Sequence, residues 1–253
     1  MNISTSLRSE MLKTKRTAPL YFTIAAAAFA PFMSMLDLIL DGVGNEHKKD
    51  IFNEMLIKKF QMTGIVAFPI FLILICTLLP QIEYKNNTWK QVLTSPQTKG
   101  NIFAAKFINI QLLIGVFLIT NLLLMFISAV ILHFMEPSLN VLNQPLNWNA
   151  ILMSRVNTYV ALLAICTIQF WLGLKFKNFI IPIAIGIALW FAGTILVLQS
   201  KSGFVEIFPY SFHAYGKFPK YDPLVNPIGW TSFVYSVFFL VVGFLDFRRR
   251  GND

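Results

Sequence analysis

Charge is the first thing this sequence lacks. Only 13% of its 253 residues are Asp, Glu, Lys or Arg, about half the ~25% carried by a water-soluble domain of ordinary composition. So little charge cannot wet the surface of a globule, which excludes an ordinary soluble enzyme. A disordered chain is excluded as well, because 56% of the residues are hydrophobic and 25 are Phe, whereas disorder needs low hydrophobicity and high charge. Cysteine and histidine are scarce. Cys76 and Cys166 lie inside apolar stretches, where neither a disulfide framework nor a paired-ligand metal site belongs. His47, His133 and His213 are far apart and near the ends of apolar runs, and they read as interfacial or loop residues. The sequence also lacks G-x-x-x-x-G-K-[ST], H-E-x-x-H and G-x-S-x-G. Neither enzyme chemistry nor a directly bound cofactor or metal is expected.

What is present is long apolar sequence. Six stretches contain no Asp, Glu, Lys or Arg: Thr17–Leu36, Phe60–Ile82, Phe107–Met135, Val156–Leu174, Asn178–Ser200 and Pro223–Leu245. Each approaches or exceeds the ~20 residues that cross a bilayer at ~1.5 Å per residue. Runs such as Phe71–Leu79 lack the alternation of a membrane β-barrel, so the predicted fold is all-α with six transmembrane helices. The charge-free gap Pro137–Ser154 holds two prolines and four asparagines and reads as an external loop. Residues 200–227 read as another. Basic residues continue to Arg16, so a cleaved signal peptide is not expected.

Lys and Arg give the orientation. With the N-terminus cytoplasmic, the inner segments hold 13 of the 21 basic residues and 4 of the 12 acids, which puts the whole net charge of +9 on that face. This follows the positive-inside rule. The expected location is the inner, cytoplasmic membrane, with both termini inside. The excess cations anchor the chain to anionic lipid, and nucleic acid is not an expected partner.

Two cytoplasmic segments are distinctive. In residues 1–16, Ile3, Leu7, Met11 and Leu12 recur at helical spacing while Arg8, Lys13, Lys15 and Arg16 fall elsewhere. That pattern predicts a short amphipathic helix lying at the membrane interface. In residues 83–100, Asn87 or Thr88 is placed to cap a short helix ending near Leu93, and Pro96 breaks it. Thr94 or Ser95 is then placed to cap the third span. Trp89 in this short helix is costly to leave in water, and the bilayer interface and the groove of a partner protein are its two expected outlets.

The pattern Glu83, Thr88-Trp89-Lys90, Leu93, Ser95-Pro96, Lys99 and Ala105-Lys106 resembles the permease subunits of ABC-2 type transporters. Glu10 to Thr17 is similar to the N-terminal helix of their lantibiotic-immunity branch. The resemblance implies one permease domain over residues 1–253, with 1–16 as a cytoplasmic N-terminal helix and 83–100 as a coupling segment. It implies ATPase-coupling roles for Glu83, Thr88, Trp89, Lys90, Leu93 and Pro96, and a supporting role for Leu7, Glu10, Met11 and Lys13. It further implies a separate ABC ATPase subunit that carries the ATP, a second permease chain, and expulsion of a hydrophobic or bacteriocin-like substrate. The missing P-loop agrees, since such a chain must borrow its energy.

Polar residues within the spans are candidates for a substrate path: Gln111, Thr120 and Asn121 in the third span, Asn157 and Gln169 in the fourth. The competing expectation for each is interhelical hydrogen bonding. An ATP-independent carrier and a non-transporting assembly or sensor subunit are the alternative functions. The charge-free windows and the absence of an evident internal repeat count against an ion-driven carrier.

Overall fold

A computed structural model describes residues 3–15, 18–41, 50–94, 97–199, 203–217 and 225–249. Among these residues every regular element is a helix. Six helices are long and apolar enough to cross a membrane, so the chain is a multi-pass, all-α membrane protein. The amphipathic segment forms α1 (Ile3–Thr14), and the first span is α2 (Ala18–Asp41). Three short pieces follow: α3 (Ile51–Glu54), one π-helical stretch over Met55–Lys59, and α4 (Phe60–Ile65).

The second span is α5 (Ala67–Lys85). The predicted window Phe60–Ile82 is therefore split, with the helix interrupted at Val66. Pro69 sits in the first turn of α5, where a proline removes no intrahelical hydrogen bond. It starts the span and does not interrupt it, and Pro182 stands similarly early in the helix of the fifth span. A five-residue α6 (Trp89–Leu93) precedes α7 (Lys99–Met135). Thr98 caps α7, its hydroxyl accepting the Asn101 N–H at 3.2 Å, so the cap falls later than the predicted Thr94 or Ser95. At ~1.5 Å per residue, 37 residues reach ~55 Å. The first turns of α7 thus extend beyond the ~30 Å hydrocarbon core to stand beside α1 and α6.

The fourth span, α8 (Trp148–Lys175), begins earlier than the charge-free window suggested. Asn147 caps it by accepting the Ala150 N–H at 3.1 Å, so residues 148–154 are helix and not loop, and Arg155 lies inside the span. The fifth and sixth spans belong to α9 (Ile180–Gln199) and α10 (Val225–Arg249). Between them, residues 203–217 form 3₁₀ turns folded back onto the bundle, with Tyr210, Ser211, Phe212 and Ala214 buried. Gly193 permits this contact: a Cβ there would lie 2.1 Å from the Tyr210 carbonyl oxygen.

The helix α8 is central, packed on α5 and α10, while α7 receives both α1 and α2. The core is aromatic. Phe117 stacks on Phe68 and Phe71 with ring centroids 4.8 and 4.6 Å apart. Dispersion and shape, not water exclusion alone, hold such a core together inside lipid.

Candidate functional site

The helix α1 lies against the bundle by its polar side. Its buried residues are Ser6, Glu10 and Thr14, one turn apart on one face. Met11 and Leu12 are exposed and Leu7 is half-buried. The apolar stripe thus turns outward, as expected for a helix at the membrane interface, while the polar stripe inserts into the protein. Asn109 of α7 meets this stripe, its Nδ2 donating to the Glu10 carbonyl at 3.4 Å and lying within 3.4 Å of Thr14 Oγ1.

Behind it is a cluster of four charges, of which Glu10, Glu83 and Lys106 are buried and Lys13 is partly exposed. Lys106 Nζ of α7 bridges Glu10 Oε2 of α1 at 3.0 Å and Glu83 Oε1 of α5 in a very short contact. Lys13 Nζ completes the ring, 2.7 Å from Glu10 Oε1 and 2.9 Å from Glu83 Oε1. The side chains of Glu83 and Lys106 are only 1% and 4% exposed. Two acids face two lysines, so the cluster carries no net formal charge and each ion has a counter-ion, the condition for tolerating burial. Burial works against the Lys13 charge, but Glu10 and Glu83 outweigh it and hold its ammonium above the ordinary lysine value.

Trp89 closes this cluster. Its ring lies 5.4 Å from Lys106 Nζ, a cation–π distance, and 5.1 and 5.9 Å from the rings of Tyr84 and Phe247. The indole therefore packs on its own chain, an outlet the sequence did not suggest, and its N–H finds no acceptor. Asn87 makes the turn before α6 with φ of 53°, a left-handed conformation that Asn tolerates. Thr88 is half-buried at the start of α6, donating its N–H to the Glu83 carbonyl at 3.0 Å. Lys90 and Leu93 belong to α6, their side chains lying outside the described portion, as does Pro96. A cleft of about 1600 Å³ opens alongside, bordered by Glu83, Trp89, Phe247, Lys85, Lys175 and Lys177.

The polar candidates within the spans do not gather around one cavity. Gln111 accepts the Tyr159 hydroxyl at 2.7 Å, and Asn121 donates to the Ala27 carbonyl at 3.0 Å. Gln169 donates to the Tyr210 hydroxyl at 2.8 Å. These three tie helices and the returning loop together. Thr120 is half-buried and Asn157 is exposed. Asp37, at the far end of α2, pairs with Lys59 at 3.0 Å.

Three features escaped the sequence reading. Lys106 stands in the sequence only as the end of a motif, and its burial depends on partners 96 and 23 residues away, Glu10 and Glu83. Arg155, the cation just before the charge-free window Val156–Leu174, is buried within α8. Cys76 and Cys166, 90 residues apart, bring their sulfurs to 3.6 Å across α5 and α8; no spacing rule could have paired them.

Comparison with curated proteins and with solved structures returned no match. Residues 6–193, however, match the family described as ABC-2 family transporter protein. That stretch takes in most of α1, the four-charge cluster, α6, the first four spans and most of the fifth. With six membrane-crossing helices around this arrangement, the chain belongs to the ABC-2 family of transporter proteins and is a membrane permease component.

Proposed function

We propose that this permease exports a hydrophobic or amphipathic substrate, driven by a separate ABC ATPase that docks at α6. A lantibiotic-like peptide is the first substrate to test. Under this reading the α6 end of the bundle is cytoplasmic, the membrane is the cytoplasmic membrane, and two permease chains form the transporter, each docking one ATPase. The observation that carries it is the seating of Trp89 over Lys106, which joins the short helix to α1, α5 and α7 through one charge cluster. ATPase closure pushes on α6, and packed elements pass the displacement on as a rigid-body shift.

The test is reconstitution with the ATPase in liposomes, measuring ATP hydrolysis and substrate movement together. Trp89→Ala and Lys90→Glu are expected to lower transport per ATP by roughly tenfold, within the usual range of coupling free energies, while the protein remains folded. Wild-type coupling in both variants would remove the docking assignment. Substrate movement driven by an ion gradient alone would favour the carrier reading instead.

A further inference from the structure

The cleft beside α6 encloses about 1600 Å³, more than the ~300–1,000 Å³ of a typical small-molecule pocket. It lies where spans end. The helix α5 stops at Lys85, α8 stops at Lys175 and α2 begins at Ala18, and all three residues border it. A cavity at the ends of spans stands at the level of the lipid headgroups.

Hydrogen bonds from α5 shape its rim. Gln81 Nε2 donates to the Phe176 carbonyl at 2.8 Å, and the Tyr84 hydroxyl donates to the Leu174 carbonyl at 2.7 Å. The chain leaving α8 is thereby held against the end of α5. It then turns at once into α9, where the Asn178 side chain accepts the Ile180 N–H at 3.0 Å. This short connection carries Lys177 to the border of the cleft. Lys85, Lys175 and Lys177 are all exposed there. The acid among the bordering residues, Glu83, is buried and already held by Lys106 and Lys13. The rim therefore presents positive charge.

The floor is apolar. Leu78 and Ile82 of α5 line it together with Phe179. They continue a strip, Ile70, Leu74, Leu78 and Ile82, that recurs every fourth residue and is half-buried throughout, so it forms one face of α5. Both α2 and α9 pack on α5, and the cleft touches the start of each. From Ile82 to Ile70 the strip runs about 18 Å away from the rim, comparable with the ~15 Å depth of one leaflet's hydrocarbon.

We propose that this cleft binds an anionic phospholipid of the leaflet at the α6 end, its phosphate at Lys85 and Lys177 and one acyl chain along the α5 strip. A basic rim over an apolar floor selects for both features at once. A free anion has nothing to bury on the floor, and a lipid without net charge gains little from the lysines. The bound headgroup ties the chain between α8 and α9 to the end of α5, next to Trp89.

The experiment uses the full chain, delipidated in detergent and examined by native mass spectrometry after exchange against phosphatidylglycerol, phosphatidylcholine with the same acyl chains, or glycerol phosphate. Wild type is expected to retain phosphatidylglycerol and neither of the others. Lys175 also lies 4.8 Å from the Trp171 ring centroid, so the charge test falls on the other two lysines. Lys85→Gln with Lys177→Gln should lower retention at least ~10-fold, and both positions are exposed enough to spare the fold. Leu78→Trp, which fills the strip and keeps the lysines, should lower it similarly. Arg248→Gln with Arg249→Gln removes two exposed charges at the same end but outside the cleft, and should leave retention unchanged. Equal retention of phosphatidylcholine, retention of glycerol phosphate alone, or undiminished binding in either cleft variant would each overturn the assignment. Phosphatidylglycerol carried by monomers and excluded from dimers would give the cleft to a second copy and overturn it as well.

Discussion

Removing Lys106 tests whether the four charges act as one unit. Lys106→Met preserves much of the side-chain length but deletes the ammonium. Glu10 Oε2 then loses the contact at 3.0 Å, and Glu83 is left with Lys13 alone on one oxygen and nothing on the other. Breaking a buried ion pair from one side costs about 3–5 kcal/mol, because the abandoned charge stays in low dielectric. For a chain of this length that amounts to a fall in melting temperature of about 6–20 °C. Glu83→Gln is expected to cost a similar amount, since it strands Lys106 with Glu10.

The informative variant is the double one. With Glu83→Gln and Lys106→Met combined, no charge is abandoned at their contact, and Glu10 and Lys13 still hold each other at 2.7 Å. The double variant should be less destabilised than the sum of the singles by about 1–3 kcal/mol, the coupling expected of residues in one network. The measurement is thermal unfolding of the purified permease in one detergent across wild type, both singles and the double. Single effects that add within about 0.5 kcal/mol would mean the residues do not share an electrostatic unit, and the transmission route argued from them would fail.

Two further outcomes follow from the same geometry. The raised pKa of Lys13 places its stabilising charge below its folded value: the contribution is fully present below 10.5 and disappears only as pH rises through a still higher value. The stability difference between wild type and Lys13→Met should therefore stay flat from about pH 7 to about pH 10 and shrink above that; a loss near neutrality would contradict the ion pairs drawn here. Cys76 and Cys166, at 3.6 Å, should form an intramolecular disulfide with a membrane-permeant diazene oxidant, the two thiols each losing a hydrogen as the diazene becomes a hydrazine. Intact-mass and peptide analysis would detect it, and failure to link under conditions that oxidise a control dithiol would place α5 and α8 differently.

The six spans were legible because a bilayer selects against charge so strongly that charge-free runs nearly trace the helices. The same device hid the working residues. Ending a span at the nearest cation cut Lys106 out of α7 and Arg155 out of α8, although both are buried helical residues. The Asn-rich gap looked like loop because asparagine serves equally in turns and as a helix cap, and only Asn147 with its Ala150 partner shows which applies. Family resemblance names Glu83 with the coupling segment and Glu10 and Lys13 with the N-terminal helix, as two separate sets, and the fold joins the three in one cluster. The orientation of α1 was half legible: its apolar stripe was evident, but Ser6, Glu10 and Thr14 made no stripe of note until α7 supplied their partners.

The placement of Trp89 also bears on how a push at α6 would be felt. Five residues are too few to hold a helix by themselves, so α6 takes its position from what it packs against. Those contacts are Tyr84 at the end of α5, Phe247 at the end of α10 and Lys106 in α7. An indole dissolved in lipid would leave α6 free to slide under load. Seated as it is, α6 cannot move inward without displacing three spans, and α1 moves with them because Lys106 also holds Glu10. Buried ion pairs are a weak means of gaining stability but an effective means of fixing register, since any misalignment strands a charge. A cluster of zero net formal charge at the foot of α5 and α7 therefore favours movement of those helices as one body over local deformation, which is the mechanical property a docking site for an external motor requires.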